Sequence, residues 1–279
     1  MTDEPPLRTT IVIPVWDSYV APHFTAALES IRGQDVPVAV LVVDNASERP
    51  LPELPGVRVI QTPGRVSLGA ARNLGLAHTE TELVLFADAD DILLPGAISR
   101  LQQELEARPE LIAFALAFVD SDTGARHRWP RPWIGRLVRF PRLAALVNAV
   151  WAVYPITGPV LIRTAAARAA GGHADLDNGD ARCLGAALLF RGPVGWSEQP
   201  GWVYHQRPGS NLDRFSGAAG IMASNRSVRA RLREDPGAPR WLVSMLPLVA
   251  AAQDAAVAAH LVLAVLRRVA RARSGRERA

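Results

Sequence analysis

The segment Leu83-Val84-Leu85-Phe86-Ala87-Asp88-Ala89-Asp90-Asp91 runs a short apolar stretch into three carboxylates within four positions. Crowded like charges repel, and a hard cation relieves the repulsion. Mg²⁺ or Mn²⁺ suits such oxygens, taking one or two protein carboxylates and completing its shell with phosphate oxygens and water. A bound diphosphate is therefore the first chemistry this pattern suggests. The competing reading is structural: Asp also ends strands and caps helices, and Pro95 ahead of Ala97-Ile98-Ser99-Arg100-Leu101 reads as a helix start.

Those carboxylates need a scaffold, and the flanking sequence supplies one. Thr9-Thr10-Ile11-Val12-Ile13-Pro14-Val15 is a near-continuous apolar run of the kind buried on both faces of a sheet, with a helix expected over about 21–32. Residues 38–43 predict a second strand ending at Asp44-Asn45-Ala46-Ser47, whose short polar side chains favour a turn. A third strand is expected at 57–60, an alanine-rich helix at 69–77 and a fourth strand at 83–86. Alternation of strands and helices implies an α/β fold, a mostly parallel sheet flanked by helices. Ligands of such sheets gather beyond the carboxyl ends of the strands, where Asp44 and Asp88 both fall. Downstream, 111–120 is apolar ahead of a turn at 121–124, 158–163 reads as a strand, 164–170 as a short helix and 181–191 as a longer one.

With 279 residues and 49% hydrophobic content, the chain can bury a substantial core. Its single cysteine, Cys183, excludes an intramolecular disulfide framework and points to a cytoplasmic setting. The acidic, proline-bearing start Met1-Thr2-Asp3-Glu4-Pro5-Pro6 lacks the pattern of a secretory signal, so export is not expected. The net charge of +4 is concentrated in 267–279, where six arginines face one glutamate; the remainder is at −1. The chain has no lysine, so its Lys/Arg charge is all guanidinium, which suits phosphate but equally reflects genome composition; the high pI thus says little about nucleic acid, and none is expected as a partner. Residues 126–142 carry six arginines, no acid, and Trp129, Trp133 and Phe140, which fits an acceptor-binding or membrane-facing loop or simply a solvated face. Residues 241–266 are apolar enough for a span of roughly 20 residues, but Gln253, Asp254 and His260 lie inside. Val257, Leu261, Val265 and Val269 recur at four-residue spacing, with Val262 and Leu266 beside them, which suits an amphipathic helix. It would dock on the protein's own core or rest peripherally on the inner face of the membrane.

In this order the motifs resemble the family 2 glycosyltransferases of GT-A fold, over about residues 9–215. The pieces are Ile11 to Asp17, Val42 to Ser47, Gly69-Ala70-Ala71-Arg72-Asn73-Leu74-Gly75, Phe86 to Asp91, Gly171-Gly172, Gly179-Asp180 and the segment opening at Tyr204. The resemblance implies a GT-A domain at 1–215, with a nucleotide-binding part at about 8–122 and an acceptor side at about 123–215. A helical C-terminal extension with the arginine-rich tail would occupy 216–279. It also implies transfer of a sugar, with inversion, from a UDP, GDP or dTDP sugar to a hydroxyl on a glycan, lipid-linked or small-molecule acceptor, with Mn²⁺ or Mg²⁺ as cofactor.

The residue roles follow from the same resemblance. Asp44 would accept a hydrogen bond from the nucleobase, its alternative being to cap the following turn. Pro14 and Trp16 would line the same pocket or belong to the core. Arg72 would face the diphosphate, a contact its forked donors suit, or else form a salt bridge. Asp90 would ligate the metal directly, Asp88 would contact the donor's ribose or support the metal from behind, and Asp91 would stand behind them or cap a helix. Asp180 matches the catalytic base, with a helix N-cap as its competing role and Asp175 and Asp177 as substitutes. Two departures stand out: the family's Glu-Asp is Gly179-Asp180 here, and its Tyr-Arg-x-His is Tyr204-His205-Gln206-Arg207. Arg207 could contact phosphate but cannot ligate a cation. These departures motivate the alternative of a non-catalytic nucleotide-sugar-binding or scaffold protein that retains the fold.

Overall fold

The strand β1 (Thr9–Val15) is buried along its whole length, as its unbroken apolar run requires. The computed structural model describes residues 7–17, 23–120, 132–150, 154, 158–205, 217–259 and 262. Within them, β1 is joined by β2 (Ala39–Asp44), β3 (Arg58–Gln61), β4 (Leu83–Phe86), β5 (Ile92–Leu93), β6 (Ala113–Asp120), β7 (Val160–Arg163) and β8 (Val194–Tyr204). They form one sheet in the order β3-β2-β1-β4-β7-β6-β8-β5.

The sheet has two halves of different character. From β3 to β4 every pairing is parallel, as the strand–helix alternation predicts. Beyond β4 the sheet is mixed: β7 runs antiparallel to both β4 and β6, β8 is parallel to β6, and β5 is antiparallel to β8. The β6–β8 ladder shifts register between Leu116 and Phe118, where Pro200 stands opposite Ala117. Proline cannot donate to a ladder, and a bulge is where a strand tolerates it.

Helices cover both faces. On one side α1 (His23–Arg32) and α3 (Ala97–Ala107) lay Phe24, Leu28, Ile31, Ile98, Leu101 and Leu105 against Ile11, Ile13, Val42 and Leu85. On the other, α2 (Leu68–Ala77), α6 (Thr164–Ala169) and α7 (Asp180–Arg191) cover Val12, Leu41, Val43, Val84 and Phe86. Strands buried on both faces explain why they read as unbroken apolar runs rather than alternating ones.

A third layer lies outside α7. It comprises α5 (Pro141–Val150), α8 (Ala218–Glu234), α9 (Arg240–Ser244) and a helix over 246–259, α10, while α4 (Pro132–Leu137) lies against β8 with Gly135 on the Trp196 ring. Leu242, Leu246 and Val249 pack with Ala149, Cys183, Ala186, Val228 and Leu232. Gln253, whose polarity argues against a span, is buried in the same interface, where it donates to the Ala149 carbonyl at 2.7 Å. The described part of the apolar C-terminal segment therefore docks on the protein's own core, through Val257 as its last buried position. Leu261, Val265, Val269 and the arginine tail lie outside the described residues, as do the turn at 121–124 and residues 126–131. Among the described residues no helix is long and apolar enough to cross a membrane.

Candidate active site

The carboxyl ends of β1, β2 and β4 meet at one edge of the sheet. Val15 pairs with Asp44, and Val12 with Phe86; Trp16, Asp44 and Asp88 are thereby brought to the same rim. Pro14 is buried inside β1 beside Val43, past the last β4 pairing, in a stretch of strand paired on one side only. Its place is the core. Trp16 is half-buried with the Arg65 guanidinium stacked 4.0 Å from its ring centroid.

Asp44 is buried and caps the turn that follows it: Oδ1 accepts from the Ser47 amide at 3.0 Å. Its Oδ2 accepts from Gln61 Nε2 at 3.1 Å. Next to it, the fully buried Asn45 bonds both backbone groups of Val66, at 2.9 Å each. This ties the end of β2 to the loop that leads into α2.

Arg72 is the centre of the site. It projects from α2, and its side chain is only 3% exposed, with Nη1 donating to Asp180 Oδ2 at 2.7 Å and Nη2 paired to Asp88 Oδ1. Burial works against its charge, and the two carboxylates more than restore it. Close approach of α2 requires small residues: a Cβ on Gly69 would lie 1.8 Å from the Ala174 carbonyl oxygen. The loop over 173–179 wraps the start of α2, where Ser67 caps the helix and donates to Asp175 at 2.5 Å, and Asp177 accepts from the Leu68 amide at 3.0 Å. Two carboxylates at that helix start complement its dipole. Asp175 and Asp177 thus hold the start of α2.

Asp180 begins α7 without capping it; the N-cap is Gly179, at φ 89°. A Cβ at Gly179 would lie 2.3 Å from Ser224 Oγ, in a backbone conformation that a side chain strains. The family's glutamate does not fit this backbone. The Asp180 side chain, 4% exposed, accepts on Oδ2 from Arg72 and from His173 Nδ1 at 2.8 Å. Burial alone would raise its pKa; Arg72 and then His173 outweigh burial and hold it well below the usual carboxylate range.

In the Asp88-Ala89-Asp90-Asp91 turn the carboxylates crowd one another. Asp88 is one third exposed and takes Arg72, and Asp90 is nearly buried. Asp91 is buried and accepts from the His205 amide at 3.2 Å. Desolvation, with Asp88 and Asp90 adding to it, pushes the Asp91 carboxyl well above the usual range. It does not cap α3, whose N-cap is Gly96; it fastens the turn to the end of β8.

Hard oxygens with surplus negative charge fit a divalent cation. Among the described residues no three His, Cys, Asp or Glu side chains converge as a ready-made metal cage, so phosphate and water would have to supply most of the shell. Arg207 lies outside the described residues.

Two contributors escaped sequence reasoning. His173, fully buried, had only its place after Gly171-Gly172 to mark it. Arg182 carries no motif signal; it donates to the Ala149 and Val150 carbonyls at 2.5 and 2.8 Å, closing the carboxyl end of α5. Burial pushes its guanidinium down to about 10.

Residues 10–165 match the domain described as Glycosyl transferase family 2. The chain belongs to that family. Its fold is that of GT-A glycosyltransferases. S. aureus TarS 1–349 in complex with UDP-GlcNAc superposes with a TM-score of 0.60 at 14% identity, covering 82% of this chain and 67% of that one. The mannosyltransferase PcManGT from Pyrobaculum calidifontis, in complex with GDP-Man and Mn²⁺, superposes at 0.59 with 20% identity, covering 94% and 79%. At such identities the likeness concerns the fold alone. No curated protein sequence matches the chain.

Proposed function

We propose that this glycosyltransferase moves a sugar from a nucleoside diphosphate sugar to an acceptor hydroxyl by a single inverting displacement that depends on a divalent cation. The observation that carries the reading is the chain of contacts Asp88–Arg72–Asp180, which joins the carboxylate turn to a second, separate carboxylate through one guanidinium. Family membership and the nucleotide sugars held by TarS and PcManGT support the choice of donor.

Asp90, assisted by Asp88, would hold Mn²⁺ or Mg²⁺. When bound, that ion supplies charge stabilisation for the departing diphosphate. Asp44 and Trp16, at the rim beside it, take the nucleoside end, and Arg207 is assigned to phosphate. Asp180 serves as base: the acceptor oxygen attacks the anomeric carbon, its proton passes to Asp180, and the bond to the diphosphate breaks. Both protein partners of Asp180 bond Oδ2, so neither occupies Oδ1, the oxygen assigned to the proton.

Arg72 gives this scheme its order. While fully paired it weakens Asp180 as a base, because a good general base has a pKa nearer the working pH. Diphosphate arriving beside Asp88 competes for the guanidinium, and any weakening of the Arg72–Asp180 bond raises the basicity of Asp180. Donor before acceptor is the expected sequence. The test is nucleoside diphosphate release from UDP, GDP and dTDP sugars with Mn²⁺. Asp180→Asn should lower turnover by about 10²–10⁴-fold, the range for loss of a general base, with donor KM little changed. Wild-type turnover in Asp180→Asn would remove the base assignment.

A further inference from the structure

Asp180 is held from two sides, and only one of its holders, Arg72, belongs to the motifs shared with the family. The other is His173. Its imidazole is fully buried, lies edge-on to Phe86 with ring centroids 4.5 Å apart, and meets Asp180 Oδ2 at 2.8 Å through Nδ1. The backbone of His173 is clamped as well: its amide donates to Asn73 Oδ1 and its carbonyl accepts from Asn73 Nδ2, both at 2.8 Å. Asn73 neighbours Arg72 on α2, so a single turn of that helix fixes both groups that grip Asp180.

We infer that His173 is a positioning residue for the base, acting as a fixed Nδ1–H donor that pins Asp180 Oδ2 and turns Oδ1 toward the acceptor. An ionised carboxylate only accepts, which sets the tautomer: the proton sits on Nδ1. The opposite nitrogen, Nε2, is buried without a hydrogen-bond partner. A bare lone pair there costs less than a buried, unpaired N–H beside the Arg72 charge, and burial together with Arg72 disfavours the imidazolium. The packing on Phe86 and the Asn73 clamp leave the ring little freedom, which a base oriented for attack requires.

This inference rests on Asp180 being the base, so the two must be tested apart. The first measurement needs no turnover: imidazole ¹⁵N shifts of the labelled full-length protein at neutral pH. A protonated Nδ1 with a bare Nε2 is expected at His173, and the reverse tautomer would overturn the assignment. The second compares two substitutions. In His173→Asn the amide nitrogen falls where Nδ1 was, keeping the donor; His173→Leu removes it. With donor hydrolysis as the assay, His173→Leu should lose about tenfold or more in kcat while donor KM stays within about twofold, the signature of an interaction made in the transition state. His173→Asn should recover most of that loss. Equal kcat in His173→Leu and wild type, or equal impairment of both variants, overturns the inference. Asp180→Asn run alongside keeps the outcomes distinct: an inactive Asp180→Asn with a fully active His173→Leu removes only the role of His173.

Discussion

Asp180 and Asp91 are both buried aspartates at the same rim of the sheet, and their charges stand in opposite circumstances. Asp180 has a cation supplied by the chain itself, Arg72, and a donor in His173; its carboxyl is held down despite burial. Among the described residues Asp91 meets only neutral donors, the His205 amide and the Trp202 indole, beside two neighbouring carboxylates, and burial with those charges pushes its carboxyl up. What decides the protonation of a buried acid is the partner that meets it, more than the depth at which it lies. The Asp180 region is electrostatically complete before any ligand arrives. The Asp88–Asp91 turn crowds three carboxylates, a crowding that an arriving cation relieves.

The severest way to break this contrast is Arg72→Met. Removing one member of a buried ion pair leaves uncompensated charge and costs about 3–5 kcal/mol, here with two carboxylates stranded. Urea denaturation should show that loss together with loss of transfer. An unchanged midpoint would mean that Arg72 does not hold the site. Arg72→Lys is not a mild alternative, since one ammonium does not reproduce the fork that reaches both acids.

Acid titration of stability sharpens the same contrast. A folded-state pKa depressed below the unfolded value gives stability that is fully present above the ordinary carboxylate range, about pH 4, and is lost as pH falls through it toward the folded value. Asp180 should therefore contribute to acid unfolding between about pH 5 and 2. In Asp180→Asn the stability curve should flatten over that window; an unaltered curve would count against the Arg72 pairing. Asp91→Asn should have the smallest effect, within about 1 kcal/mol, because the amide oxygen can still accept from His205 and loses only repulsion. Thermal melts without added metal should show it as stable as wild type or slightly more so. Marked destabilisation would mean that Asp91 is already neutralised.

Much of the scaffold was legible because apolar runs in a doubly covered parallel sheet are conspicuous. The ranges of β1 and β4 agree with the sequence reading to the residue, and α2, α6 and α7 agree within one. The β8 strand was not legible: Gly195, Pro200 and Gly201 argue against a strand, and only the bulge opposite Ala117 accommodates the proline. Nor does strand–helix alternation reveal that β7 enters antiparallel. At the site, Asp88, Arg72 and Asp180 were singled out, but their mutual contacts were not, because residues 108 apart in sequence give no sign of pairing. His173 was invisible for a related reason. A lone histidine after a glycine pair acquires meaning only when the loop over 173–179 folds back over α2.

The most direct test of the contrast is a thermal-shift titration of UDP and GDP, each with and without Mn²⁺, on wild type, Asp90→Ala and Asp180→Asn. A ligand that binds only the folded state raises its stability by RT ln(1 + [L]/Kd). The account predicts a Mn²⁺-dependent rise with at least one nucleotide in wild type, retained in Asp180→Asn and abolished in Asp90→Ala. A metal-dependent rise that survives in Asp90→Ala, or disappears in Asp180→Asn, would contradict it.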